Sequence, residues 1–159
     1  MRSYLLFIGI FLCLTSSLYS GTIDPNTSDS KYIEYGSKFE SVVKICCFDG
    51  KGKSCGSAVI IDPHWIVTAA HVVENCKSWK ITHNDKEYDL KKVFIHDSYN
   101  TNIFGEYDIA LGYSVDPIVL DHYPSLYDTN DEVGKICSIA GWGLTGNFNT
   151  CLLYTSDAA

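Results

Sequence analysis

The chain has 159 residues, 46% of them apolar, and carries a formal net charge of −7. That length fits one domain, and an acidic balance without clustered Lys and Arg gives no reason to expect a nucleic-acid partner. Lys77, Lys80, Lys86, Lys91 and Lys92 are scattered, and read as the solvated faces of a small sheet.

Met1-Arg2, the apolar run 4–14 and the small polar Thr15-Ser16-Ser17 have the shape of a secretory signal peptide over residues 1–20. Cleavage after Ser20 is preferred, with a cut after Ser17 left open because Leu18 is not small. The run is too short to cross a bilayer, so a secreted, extracellular protein without a membrane anchor is expected. Residues 21–32 read as a polar leader or propeptide containing Asn26-Thr27-Ser28, an N-glycosylation sequon.

Residues 58–61 and 65–68 are short apolar runs rich in β-branched side chains and split by Asp62-Pro63, which predicts a hairpin of buried strands. The second run stops at Thr68-Ala69-Ala70-His71. Two alanines leave little side-chain bulk, so the backbone can turn sharply and hold an imidazole at the strand end. Histidine titrates nearest neutrality of all side chains, which suits it to take and return a proton.

Further on, Glu106-Tyr107-Asp108-Ile109-Ala110-Leu111 places an acid directly before another apolar strand. A carboxylate there is poorly solvated and needs a hydrogen-bond donor, and an imidazole N–H would serve. Gly141-Trp142-Gly143 follows; a large aromatic between two glycines fits a close backbone crossing. His64, His83 and His96 have no metal-ligand spacing with Cys or acidic partners, so neither a metal nor another cofactor is expected.

Taken in order, T-A-A-H, D-I-A-L and G-W-G resemble the chymotrypsin/trypsin-like serine peptidases, and the likeness covers roughly residues 33–150. Cys55-Gly56-Ser57, the segment Val93-Phe94-Ile95-His96-Asp97-Ser98-Tyr99-Asn100 and Gly134-Lys135-Ile136-Cys137 add to it. The resemblance implies an all-β chain: an antiparallel Greek-key β-barrel from about 41 to 113, the first of the two barrels of the chymotrypsin-like fold. The second barrel would be largely missing, with 136–140 as one of its strands. It implies a secreted serine endopeptidase acting on protein or peptide substrates and open to protein inhibitors.

In that reading His71 is the general base, and Asp108 accepts the other imidazole N–H and orients the ring. The loop 97–106 rims the cleft, and Trp142 packs at the barrel junction. The nucleophilic serine of G-D-S-G-G is absent from the chain, which is therefore expected to be an inactive fragment; Ser57 and Ser114 sit in no oxyanion-hole motif and read as ordinary strand residues. The alternative is a catalytically inactive homologue that acts by binding or regulation.

The family also staples the histidine loop with a bridge from the Cys55 position to the residue after the histidine. Here that residue is Val72, so the resemblance implies Cys55–Cys76 as the substitute. Cys46 and Cys47, neighbours on a strand, should point to opposite faces and receive no partners; the partner of Cys137 would belong to the second half. The family's activation motif falls at Ile33-Glu34-Tyr35-Gly36, but Tyr32 stands where Lys or Arg is wanted. Residues 151–159 do not resemble the family and read as an adapter-derived tail.

Overall fold

Alternating apolar residues and tight polar turns draw the middle of the chain into one closed sheet. The structure, a computed structural model, describes residues 24, 26–101, 105–146 and 153–156. The expected signal segment therefore lies outside the described residues, as do 102–104 of the loop before Asp108 and most of the expected tail.

Six strands, β1 (Val42–Phe48), β2 (Lys53–Asp62), β3 (Trp65–Thr68), β4 (Ser78–His83), β5 (Lys86–Ile95) and β6 (Ala110–Ser114), close an antiparallel barrel in the order β1-β2-β3-β6-β5-β4. The observed limits differ by one residue at each end from the 41–113 expected. The hairpin at Asp62-Pro63 is present: Asp62 Oδ1 accepts from His64 N at 3.1 Å, and the ladder shifts register between Ile60 and Asp62. Asn84 and Asp85, both at positive φ, make the two-residue turn between β4 and β5.

The inward residues are mainly β-branched. Ile45, Ile60, Ile66, Ile81, Ile118 and Val73 are fully buried, each burial stabilising by about 1.5–3 kcal/mol relative to exposure. Gly112 on β6 leaves them room, because a Cβ there would lie 2.8 Å from Leu90 Cδ1 and 2.9 Å from Ile66.

Among the described residues there are two short helices: α1 (Asp29–Gly36), with no buried residue, and the single turn α2 (Ala70–Val73). α1 covers both the end of the expected leader and Ile33-Glu34-Tyr35-Gly36. In the sequon, Asn26 is exposed and its Nδ2 donates to Asp24 Oδ1 at 3.2 Å. No helix among the described residues is long and apolar enough to cross a membrane.

The disulfides correct the expectation. Cys55 is bonded to Cys46, and Cys76 to Cys47; there is no Cys55–Cys76 bridge. The register explains why: Cys46 and Cys55 are opposite partners in the β1–β2 ladder, with Cα atoms 4.1 Å apart. Cys47 faces the other way on β1 and meets the segment after α2, which Lys77 N ties to Phe48 O at 2.8 Å. Cys137 is exposed and free.

A second expectation also fails. Residues 136–140 form no strand, and Ile136 and Ile139 are fully exposed. A strand needs a ladder partner, and none of the described strands runs beside this segment. The chain returns to the barrel at Trp142, whose N–H donates to Ser57 Oγ at 2.7 Å while that hydroxyl donates to Trp142 O at 2.9 Å. Trp142 Nε1 donates to Val42 O at 3.2 Å, and Lys44 Nζ lies 6.0 Å from its ring, so the indole is packed on β1. Beyond it β7 (Gly143–Gly146) pairs antiparallel with β8 (Leu153–Ser156).

Candidate active site

β3 delivers the histidine. Thr68 Oγ1 donates to Ser57 O at 2.8 Å, Ala69 stays extended, and Ala70 is fully buried against the core as α2 begins. Little side-chain volume fits at that bend. A turn this short has no side-chain cap of its own, and its first N–H groups are left without partners inside it.

Asp108 fills that role from just before the start of β6, the strand beside β3. Its Oδ1 accepts from His71 N at 2.9 Å, and its Oδ2 lies 2.6 Å from His71 Nδ1. The acid is aimed by the residue before it: Tyr107 sits at φ 52° and stacks on His96 with ring centroids 4.9 Å apart. A left-handed non-glycine backbone costs about 1–2 kcal/mol, which the surrounding contacts must offset. Ile109 N donates back to Tyr107 O at 2.7 Å, closing the turn into β6.

Burial is the largest single influence on the Asp108 carboxyl and pushes its pKa up. It is outweighed by the backbone N–H of His71, then the ring, its charge, and the N–H of Ala70, so the pKa falls below its usual 3.8. The carboxylate thus stays ionised at neutral pH, holding the proton on His71 Nδ1 and leaving Nε2 as the ring's acceptor. The imidazole is 61% exposed, against 23% for the carboxylate. A cleft of about 280 Å³ opens beside the ring, bounded by Asp49, Lys53, Glu74 and Asn75. A held tautomer with a free basic nitrogen on an accessible ring can take a proton from a nucleophile and return it to a leaving group.

The structure brings together His71 and Asp108, 37 residues apart in sequence. The other candidates are engaged elsewhere. Ser57 binds Trp142, and Ser114 is buried with its hydroxyl donating to Asp116 O at 2.8 Å. His64 Nδ1 is 2.9 Å from Ser114 O, and His96 Nδ1 accepts from Ser98 N at 3.1 Å. His83 is buried beside Glu40. Among the described residues no three His, Cys, Asp or Glu side chains are grouped to hold a metal. Sequence reasoning missed Tyr99 and Glu74, whose side chains bond at 3.2 Å next to the pair; Tyr99 stood in a motif, but Glu74 carried no signal.

Residues 38–157 match the Trypsin family model. Curated relatives include Ovochymase of Halocynthia roretzi, 29% identical over 65% of this chain and 7% of that protein. Chymotrypsin-like elastase family member 1 of Canis lupus familiaris is 30% identical over 58% of this chain and 42% of its own. Trypsin of Simulium vittatum is 32% identical over 59% of this chain and 42% of its own. Among solved structures, an HL collagenase aligns at TM-score 0.48 and 18% identity, covering 54% of this chain and 40% of that one. The chain thus spans about two-fifths of the elastase and trypsin it matches, and a small part of the ovochymase. With its match extending over well more than half its length, the chain belongs to the trypsin family.

Proposed function

We propose that the complete protein is a secreted serine-type endopeptidase, with His71 as general base, Asp108 orienting it, and a nucleophilic serine outside these 159 residues. The observation that carries this reading is the 2.6 Å contact of His71 Nδ1 with Asp108 Oδ2, reinforced by the His71 N–H on Oδ1. Both oxygens of one acid are spent on one histidine, an arrangement that a purely structural role does not require. A protein or peptide would enter along the cleft beside His71. The serine's proton would pass to Nε2 and then to the leaving amine, while Asp108 stabilises the imidazolium.

Processing follows from the same reading: removal of residues 1–20 and glycan addition at Asn26, with 21–32 as a leader or propeptide ahead of the peptidase domain. N-terminal sequencing of the secreted material tests the first and shows whether the leader is released.

The central test is hydrolysis of a chromogenic peptide ester by the complete secreted protein, together with fluorophosphonate labelling. Wild type should turn over and label, and His71→Ala should lower kcat by about 10⁶-fold with the fold retained. Equal hydrolysis by wild type and variant would discard the assignment. A well-folded wild type that neither labels nor hydrolyses would favour a silent, binding homologue.

A further inference from the structure

The segment that carries His71 lacks the cysteine that the resemblance places directly after the histidine, and Val72 stands there instead. Other contacts hold it. The Val72 methyls sit against Gly56 so closely that a Cβ on that glycine would be 3.0 Å away. Trp79 Nε1 donates to Val73 O at 2.9 Å, and Cys76 is bonded to Cys47. All of these tie α2 to the β1, β2 and β4 side of the barrel. None of them reaches the loop that carries the acid.

One bond does. The Tyr99 hydroxyl donates to Glu74 Oε1 at 3.2 Å, and the Tyr99 ring is half-buried against the core. Glu74 lies three residues after His71 and donates its N–H to Ala70 O at 2.9 Å. On the other side, Tyr99 N donates to His96 O at 2.9 Å, and His96 N donates to Ile109 O at 3.1 Å, next to Asp108. The contacts therefore run in a ring: His71, Glu74, Tyr99, His96, Ile109, Asp108 and back to His71. We propose that the Tyr99–Glu74 hydrogen bond is the positioning brace of the catalytic pair, setting the separation of the two loops so that His71 Nδ1 meets Asp108 Oδ2. This rests on the peptidase reading for its catalytic consequence but not for its geometry.

The chemistry of the brace suits a constant load. Burial, then the Glu74 carboxylate, and more weakly Asp108, raise the Tyr99 pKa above 10.0, so the phenol remains a donor wherever the enzyme would work. A small displacement matters because a misplacement of about 1 Å at reacting groups costs about 100-fold in rate.

The test uses Tyr99→Phe, which removes one oxygen, Glu74→Ala, and Glu74→Gln, which keeps an oxygen acceptor, all in the complete secreted protein. Tyr99→Phe and Glu74→Ala should each lower kcat on the peptide ester by about three- to tenfold, with KM within about twofold for Tyr99→Phe, and Glu74→Gln, which also changes the cleft wall, should lower kcat less than Glu74→Ala. The double variant Tyr99→Phe/Glu74→Ala should lose no more than the worse single one. Wild-type kcat in Tyr99→Phe, even with a lowered Tm, would overturn the proposal and leave the bond a structural tie. A second readout needs no turnover: the low-field proton NMR signal of the His71 Nδ1–H shared with Asp108. It should broaden through faster exchange in Tyr99→Phe and persist in Glu74→Gln. If wild type does not hydrolyse the ester, the peptidase reading falls, and an unchanged signal in Tyr99→Phe would then sink the brace as well.

Discussion

Asp108 and His83 are two residues whose surroundings shift them in ways that pH can read. The folded Asp108 pKa lies below 3.8, so its contribution to stability is complete above 3.8 and is lost as pH falls through the lowered folded value. Asp108→Asn should therefore flatten the acid limb of a Tm-against-pH curve as well as abolish turnover in the complete protein. An acid limb as steep as wild type would show that the carboxylate gains nothing from His71. His83 behaves in the same sense, through burial of a neutral ring rather than the pairing of a charge. Burial, opposed by Glu40, lowers its pKa from 6.5, and its Nε2 has no hydrogen-bond partner, with Glu40 Oε1 at 3.5 Å. Between 6.5 and the folded value the unfolded chain binds more protons, so this stability is present above 6.5 and drains away as pH falls. The charged group facing the ring is Glu40; Lys86, its ladder partner on β5, turns its ammonium onto Tyr88 at 4.3 Å. His83→Gln should reduce the Tm difference between about pH 7 and about pH 5, and an unchanged difference would place the buried histidine outside the pH response.

At the scale of elements, the β6 strand shows how close packing constrains sequence. Gly112→Ala would drive a methyl to within 3 Å of both Leu90 and Ile66, so a loss of about 1–3 kcal/mol is expected from overpacking, measured by urea unfolding. No loss would mean that β5 and β3 can yield at that point. Such details mark the limit of what the sequence reveals. The β2–β3 hairpin was legible because Asp62-Pro63 interrupts two β-branched runs. The pairing of His71 with Asp108 was legible because T-A-A-H and D-I-A-L resemble the family's motifs, and the geometry brings the two side chains into contact. The disulfides were not, because partner choice depends on register: Cys46 lies opposite Cys55 only once β1 and β2 have paired. Nor was the Tyr99–Glu74 bond, which joins two loops 25 residues apart through side chains with no periodic signature. The strand expected at 136–140 failed for a related reason, since an apolar pattern becomes a strand only beside a partner.

Across the whole molecule, the barrel is closed but the chain that leaves it is not covered. After β6 the backbone is pinned by Ile118 and Leu120 in the core and by the Tyr123 hydroxyl on Ile118 O at 2.7 Å. It is next tied at Ser138, whose hydroxyl bonds the Tyr35 phenol of α1, and at Trp142 by Ser57. Between those anchors Leu126, Val133, Ile136 and Ile139 are all at least 77% exposed. Apolar side chains carried on a segment outside any described strand ladder favour association, because most of its backbone is open to pairing with another chain. The 159-residue chain, prepared alone, should therefore self-associate with rising concentration in sedimentation velocity. Ile136→Lys/Ile139→Lys should return it toward monomer at equal concentration, with no change in the barrel's Tm because neither side chain touches the core cluster. If the double variant associates as strongly as the parent, the sticky surface lies elsewhere, and the exposed side chains of Phe94, Ile95 and Leu111 on the outside of β5 and β6 become the next place to look.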